Sequence, residues 1–318
     1  MFTIRKATRK KAKARIGIAG ASGSGKTYSS LLIAFGLADE SNPKVGVIDT
    51  ENASAELYAP EFEKYGGYYV ITLTPPFDPL QYIEAMKAFE KENFDVIIID
   101  SLSHAWAGTG GLLEQHTKLI ESGQTNFSAW KGITPKHNKL MESIILSPAH
   151  VISTFRAKSA YLVDNSEGKT KIIKVGTTPI QREGIEYEFT IFMELNPDHT
   201  AKVTKDRTGL FDQKLFIPKI ETGIKVKKYL ESGITLEEEL IMVLRQAKTL
   251  DELKALWEKR VSFEIISLKE EQRQKIIECK NEMKKKLTKN ISFDNKVLPL
   301  SGKKTESLIN KEELFEKI

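Results

Sequence analysis

Gly20-Ala21-Ser22-Gly23-Ser24-Gly25-Lys26-Thr27 is a full match to the pattern GxxxxGK followed by Ser or Thr. A loop that wraps a phosphate must turn its backbone N–H groups inward, and glycine allows this because it tolerates positive φ. The apolar run Ile16–Ala19 before it reads as a strand, and Lys26–Ala38 after it reads as a helix. The helix N-terminus then adds its positive dipole end to the cradle. In this context Lys26 reaches the β- and γ-phosphates and Thr27 ligates Mg²⁺. Gly20, Ser22, Gly23, Ser24, Gly25 and Tyr28 complete the expected nucleotide contacts.

Outward from this loop, strand-length apolar runs recur at Lys44–Ile48, Tyr69–Leu73, Val96–Ile99 and His150–Phe155. Runs as uniformly apolar as VIIID and VISTF suit strands buried on both faces. Helical stretches alternate with them. One spans Pro79 to Lys91, with Asp78 as N-cap and Pro79 at the first helical position. Another is expected to begin at Thr134-Pro135, with Leu140, Met141, Ile144 and Ile145 on one face. The alternation predicts an α/β fold with a mainly parallel central sheet. After residue 158 the pattern changes. Glu186–Leu195 and Thr200–Thr204 read as a β-hairpin extension turning at Asn196-Pro197-Asp198-His199. Capping-box spacings at Thr235/Glu238, Thr249/Glu252 and Ser267/Glu270 predict a small helical appendage. The expected organisation is a basic arm at 1–15, an ATPase-type core at 16–230, the appendage at 231–288 and a flexible tail at 289–318.

Two carboxylates stand out. Asp100 ends the buried run Val96–Ile99, and a carboxylate there needs a compensating partner; a metal with its water shell provides one, and capping the next loop is the alternative. Glu51, in Val47-Ile48-Asp49-Thr50-Glu51, lies where open α/β sheets place ligands. It reads equally as a base for an attacking water or as a surface carboxylate.

The stretch Val47–Ala59, VIDTENASAELYA, and Ile98-Ile99-Asp100-Ser101-Leu102-Ser103 resemble RecA-like recombinases. Over residues 14–212 the chain is most similar to the compact phage-type RecA-like ATPases of single-strand annealing and recombination, the Sak-four group. The resemblance implies a RecA-like P-loop NTPase fold that uses ATP and Mg²⁺, with Asp100 and Thr27 at the metal. It also implies Glu51 as hydrolytic base, Tyr58 stacking on adenine and Thr154 sensing the γ-phosphate, although RecA itself has glutamine at that place. Two DNA-binding loops would correspond to about 104–130, with Trp106, Trp130 and Lys131, and to about 158–184, with Lys169, Lys171, Lys174 and Arg182. Aromatics that stack on bases, interleaved with lysines that follow phosphates, hold single strands without sequence preference; tryptophans in a core and solvated lysines are the ordinary alternative. Lys205 and Arg207 would reach the γ-phosphate of a neighbouring subunit, or else lie at a charged strand end in solvent. The implied partners are single-stranded DNA, further copies of the chain in a ring or filament, and a single-strand-binding protein. A nucleotide-gated scaffold or loader for replication proteins, and a P-loop kinase, are the competing functions.

The composition agrees with a globular protein: 318 residues, 40% apolar and 29% charged, with a net charge of +5. The positive charge is concentrated in Arg5, Lys6, Arg9, Lys10, Lys11, Lys13 and Arg15, which suit either a phosphate-binding arm or a solvated end. The single cysteine, Cys279, predicts a reducing compartment. With no secretory signal and no membrane span expected, the predicted location is cytoplasmic, in the host if the chain is phage-encoded.

Overall fold

The structure is a computed structural model describing residues 7–164, 171–212 and 214–294, without the side chains of 159–176 and 290–294. It divides into two compact units, Met1–Gly233 and Ile234–Ile318. In the first, the elements follow as β1 (Arg15–Gly20), α1 (Lys26–Leu37), β2 (Val45–Asp49), α2 (Ala59–Phe62), β3 (Tyr69–Thr72), α3 (Pro79–Lys91), β4 (Val96–Asp100), α4 (Ser103–Ala107), α5 (Leu112–Glu121), α6 (Asn126–Leu146) and β5 (His150–Asp164). Then come β6 (Lys171–Pro179), β7 (Ile191–Leu195), β8 (Ala201–Asp206), β9 (Leu215–Phe216) and α7 (Ile220–Glu231).

The strands form one sheet in the order β3-β2-β4-β5-β1-β7-β8-β9, with β6 paired to β5. From β3 to β7 the pairings are parallel, whereas β7–β8, β8–β9 and β5–β6 are antiparallel. This is a mixed α/β fold with a mainly parallel sheet, consistent with a RecA-like P-loop NTPase. The uniform apolarity of VIIID has its reason in the layering. Val96 and Ile98 face a core shared with Leu31, Ile33 and Val226, while Ile97 and Ile99 face the opposite core with Tyr82, Met86 and Leu140. Each strand residue is therefore buried, and period-2 alternation is invisible in hydropathy.

Helices α1 and α7 cross on the first face at a pair of glycines. A Cβ on Gly36 would lie 2.1 Å from the Ile220 carbonyl oxygen, and one on Gly223 would lie 2.1 Å from that of Ile33. Only hydrogen fits at this crossing, which seats the helix opened by the phosphate loop. On the other face α3 begins as expected, with Asp78 accepting the Leu80 N–H. α6 does not begin at Thr134: Thr125 caps it by accepting from the Ser128 N–H, and Pro135 lies inside the helix. The buried period Ala129, Ile133, His137, Leu140 continues upstream of the proline, so packing outweighs the lost backbone donor.

Further expectations are corrected. Only Ile191–Leu195 of the segment from Glu186 is strand, because Gly184 at φ 82° starts a 3₁₀ turn over Ile185–Glu188. The expected loop 104–130 is largely helical, holding α4, α5 and the start of α6. The expected loop 158–184 is mostly the β5–β6 hairpin, with residues 165–170 outside the described set. Arg15 is no part of a solvated arm. Buried in β1, its guanidinium donates to the carbonyls of Ala14, Ile145, Ser147 and Ala149; Ile145 lies in the last turn of α6, where a cation also meets the negative helix end. Arg9 stacks 4.7 Å over the Tyr229 ring and bonds Ser232, whereas Arg5 and Lys6 lie outside the described residues.

The second unit comprises α8 (Leu236–Arg245), α9 (Leu250–Leu256), α10 (Ser262–Glu264) and α11 (Glu270–Asp294) around a core with Leu240, Leu253, Ile276 and Cys279. The Thr235/Glu238 box is reciprocal. At Thr249 the cap half forms, while Glu252 accepts from the Lys248 N–H instead. Ser267 caps nothing: its hydroxyl donates to the Glu264 carbonyl, and Gln272 accepts from the Lys269 N–H ahead of α11. That helix passes the expected end at 288, and the remainder of the expected tail, from 295, lies outside the described residues. Among the described residues, no helix is long and apolar enough to cross a membrane.

Candidate active site

The parallel strands bring their carboxyl ends to one edge. Gly20, ending β1, is level with Arg156 of β5, and Asp49, ending β2, is level with Asp100 of β4. Because β5 lies between β1 and β4, its side chains reach both the phosphate loop and the Asp100 carboxylate. Gly23 and Gly25 take φ of 75° and 84°, the conformation that opens the loop.

Two cavities share Gly23, Lys26 and Thr27. The first, about 450 Å³, is walled by Tyr28, Leu32, Tyr58, His199, Ile217 and Pro218. Tyr58 and Tyr28 hold their rings 5.5 Å apart at 58°. The size and apolar walls suit a nucleobase and sugar. The second, about 500 Å³, gathers Ser22, Glu51, Asp100 and Arg156.

Asp100 is 2% exposed and accepts from Thr27 Oγ1 at 2.5 Å on one oxygen and from Thr154 Oγ1 at 2.5 Å on the other. Burial, joined by the charges of Glu51 and Asp49, pushes its pKa up against the two hydroxyl bonds. A buried carboxylate in this position gains from a nearby hard cation. The oxygen donors Asp100 and Thr27 therefore fit Mg²⁺, which takes one or two protein oxygens and keeps most of its waters. Among the described residues, no group of three or more His, Cys, Asp or Glu side chains could hold a metal ion.

Glu51 sits on a turn built by Asp49, whose carboxylate accepts the N–H groups of Glu51 and Ala55. Its own oxygens receive Arg156 Nε at 2.8 Å and Nη2 at 2.5 Å, and Ser101 Oγ lies 3.4 Å away. Burial opposes ionisation, but Arg156's bonds and charge, helped by His104 and Ser101, outweigh it and hold the pKa below the usual carboxylate range. Lys26 Nζ donates to the Ala21 carbonyl at 2.9 Å. Its pKa is lowered by burial and by Arg156, in part offset by Asp100 and Glu51.

Residues 12–217 match the family model described as AAA domain. The chain belongs to this family of P-loop NTPases. An AAA domain supports nucleotide hydrolysis in general, and no curated protein matches the chain.

Within the AAA domain, Ser22, Gly23, Gly25, Lys26, Thr27, Tyr28, Glu51, Tyr58 and Asp100 line the paired cavities. Gly20 and Ser24 do not. The Ser24 hydroxyl is buried under the loop, where a Cβ on Gly20 would meet it at 2.4 Å. Thr154 is fully buried and lines neither cavity, its hydroxyl engaged with Asp100. Its strand lines the second cavity with Arg156 and Ala157. Lys205 and Arg207 line neither of these two cavities. Lys205 Nζ donates to the carbonyls of Glu186 and Tyr187, and Arg207 to that of Tyr187.

The residues expected at DNA are dispersed. Trp106 and Trp130 are half-buried and stacked at 5.8 Å, with His116 against Trp130 at 4.2 Å. Lys131 is exposed on α6. Arg182 lines a separate groove of about 710 Å³ with His137 and Glu183. Lys171 and Lys174 lie on β6, their side chains outside the described set together with the whole of Lys169.

Sequence reading missed Arg156, Asp49 and His199. His199, at φ 66° in the β7–β8 turn, places Nδ1 3.1 Å from the Ser24 carbonyl. Its signal was present, since histidine in a tight turn followed by strand marks a hairpin tip. What it touches depends on sheet order, which no local pattern carries.

Proposed function

We propose that the chain is an oligomeric RecA-like ATPase acting on single-stranded DNA in annealing or recombination. The hydrolytic part is carried by one observation: Lys26, Thr27, Asp100 and Glu51 converge on one cavity beside the phosphate loop. Loop N–H groups and Lys26 bind the phosphates, and Tyr58 with Tyr28 flanks the base. Thr27 and Asp100 would hold Mg²⁺, which when bound neutralises charge on the β- and γ-phosphate oxygens. Glu51 accepts a proton from the water that attacks the γ-phosphorus. The bond from that phosphorus to the β–γ bridging oxygen breaks, and ADP departs with the electron pair. A neighbour's Lys205 or Arg207 completes the charge stabilisation.

The DNA part rests on the RecA-like resemblance, the basic β5–β6 hairpin sequence and the Trp106–Trp130 stack near the sheet's carboxyl edge. Phosphate release from ATP, with and without single-stranded DNA and with Lys26→Ala as control, tests both parts. Stimulation by DNA of an activity that Lys26→Ala abolishes is the expected result. Hydrolysis indifferent to DNA removes the DNA part and favours a nucleotide-gated scaffold. ADP formed without free phosphate, and only with an acceptor, would identify a kinase instead.

A further inference from the structure

Arg156 is the cation of this cavity that no phosphate-loop pattern accounts for. It ends the regular part of β5, in register with Gly20 of the loop and one strand from Asp100. Its guanidinium makes a two-point bond to Glu51, yet its side chain is 48% exposed, so it reorients without leaving a packed core. A carboxylate whose lone pairs are engaged by a guanidinium fork has little basicity left for a water proton. The γ-phosphate of a bound triphosphate carries more charge than a carboxylate and has the same fork-matching oxygens. It would enter the cavity that Arg156 already lines.

On the reading of the site as an ATPase, we infer that Arg156 is a switch in the same chain that trades Glu51 for the γ-phosphate, so that the triphosphate itself releases the base. ADP, with no γ-phosphate, leaves the Arg156–Glu51 pair in place. The trade makes three demands. Arg156 discriminates ATP from ADP; Glu51 competes with the γ-phosphate for Arg156; and the competition vanishes when either partner is removed.

A binding cycle tests this without relying on turnover. Affinities for a nonhydrolysable ATP analogue with Mg²⁺ and for ADP are measured on wild type, Arg156→Ala, Glu51→Gln and the double variant. Arg156→Ala is expected to keep ADP affinity within about twofold and to lose on the order of tenfold or more for the ATP analogue, the scale of a charged hydrogen bond. Glu51→Gln should bind the ATP analogue more tightly than wild type, with ADP unchanged, because Arg156 no longer has a competing carboxylate. In the double variant that gain should disappear. The inference is overturned if Arg156→Ala keeps the wild-type preference for ATP, if Glu51→Gln tightens ADP equally, or if its gain survives without Arg156. Failure of wild type to bind either nucleotide would instead sink the ATPase reading. Retained ADP binding also shows that each variant folds.

Discussion

At the scale of single residues, the site separates side chains that face the substrate from those that hold them. Thr154 belongs to the second group. Fully buried, it donates to one Asp100 oxygen while Thr27 donates to the other. Thr154→Val keeps the shape and deletes the donor, so a loss of about 1–3 kcal/mol of stability is expected in urea denaturation, while Thr154→Ser stays near wild type. Its preference for ATP over ADP should be unchanged. A Thr154→Val protein of full stability that no longer distinguishes the two nucleotides would establish the sensor role and remove this one. Lys26, Thr27 and Asp100 could be placed at the site from short local patterns, whereas Glu51 read equally as base or surface carboxylate until the RecA-like resemblance was added. Arg156 and Thr154 stand two positions apart on one strand with identical local patterning. Both therefore point to the same face of the sheet, and only their depth along it separates them: Thr154 is level with Ile18 inside β1, Arg156 with Gly20 at the carboxyl edge.

At the scale of elements, the parallel core could be read because its strands are apolar throughout and its helices carry caps, as Asp78 does for α3. Misreadings arose where local signals had tertiary answers. Pro135 looks like a helix start, but the buried face running from Ala129 to Ile144 carries the helix across it. The glycines at 108, 110 and 111 suggest a loop, yet they join α4 to α5 through close backbone contacts, Gly111 N–H bonding the Gly108 carbonyl at 2.8 Å. Glycine identity is equally silent on packing. Gly36 and Gly132 both lie in helices, but a Cβ on Gly36 meets a backbone oxygen at 2.1 Å, whereas on Gly132 its nearest neighbour is Leu119 Cδ1 at 3.7 Å. Gly36→Ala should therefore cost about 1–3 kcal/mol by forcing α1 from α7. Gly132→Ala should gain up to about 1 kcal/mol from helix propensity. Denaturant midpoints moving the same way in both variants would show that the α1–α7 crossing is not set by its glycines.

At the scale of the whole molecule, the open question is how one cavity becomes a complete catalyst. Its own chain brings Asp100, Glu51, Lys26 and Arg156 to it, while Lys205 and Arg207 are turned toward the Tyr187 carbonyl. Tyr187 is 69% exposed, so this basic cluster is at the surface and open to another copy. If it serves a neighbour's γ-phosphate, loss of the cluster and loss of the base are complementary defects. A Lys205→Ala/Arg207→Ala protein keeps an intact site and lacks fingers; Glu51→Gln keeps the fingers and lacks a base. Each alone should be nearly inactive. Mixed one to one with random assembly, about a quarter of head-to-tail interfaces pair a good site with good fingers. Hydrolysis should then recover to about that share of wild type. Recovery should fall on dilution, because it depends on contacts between copies. If the mixture remains as inactive as its components while both bind nucleotide and co-assemble, Lys205 and Arg207 act within their own chain, and completion of the site has to be sought there.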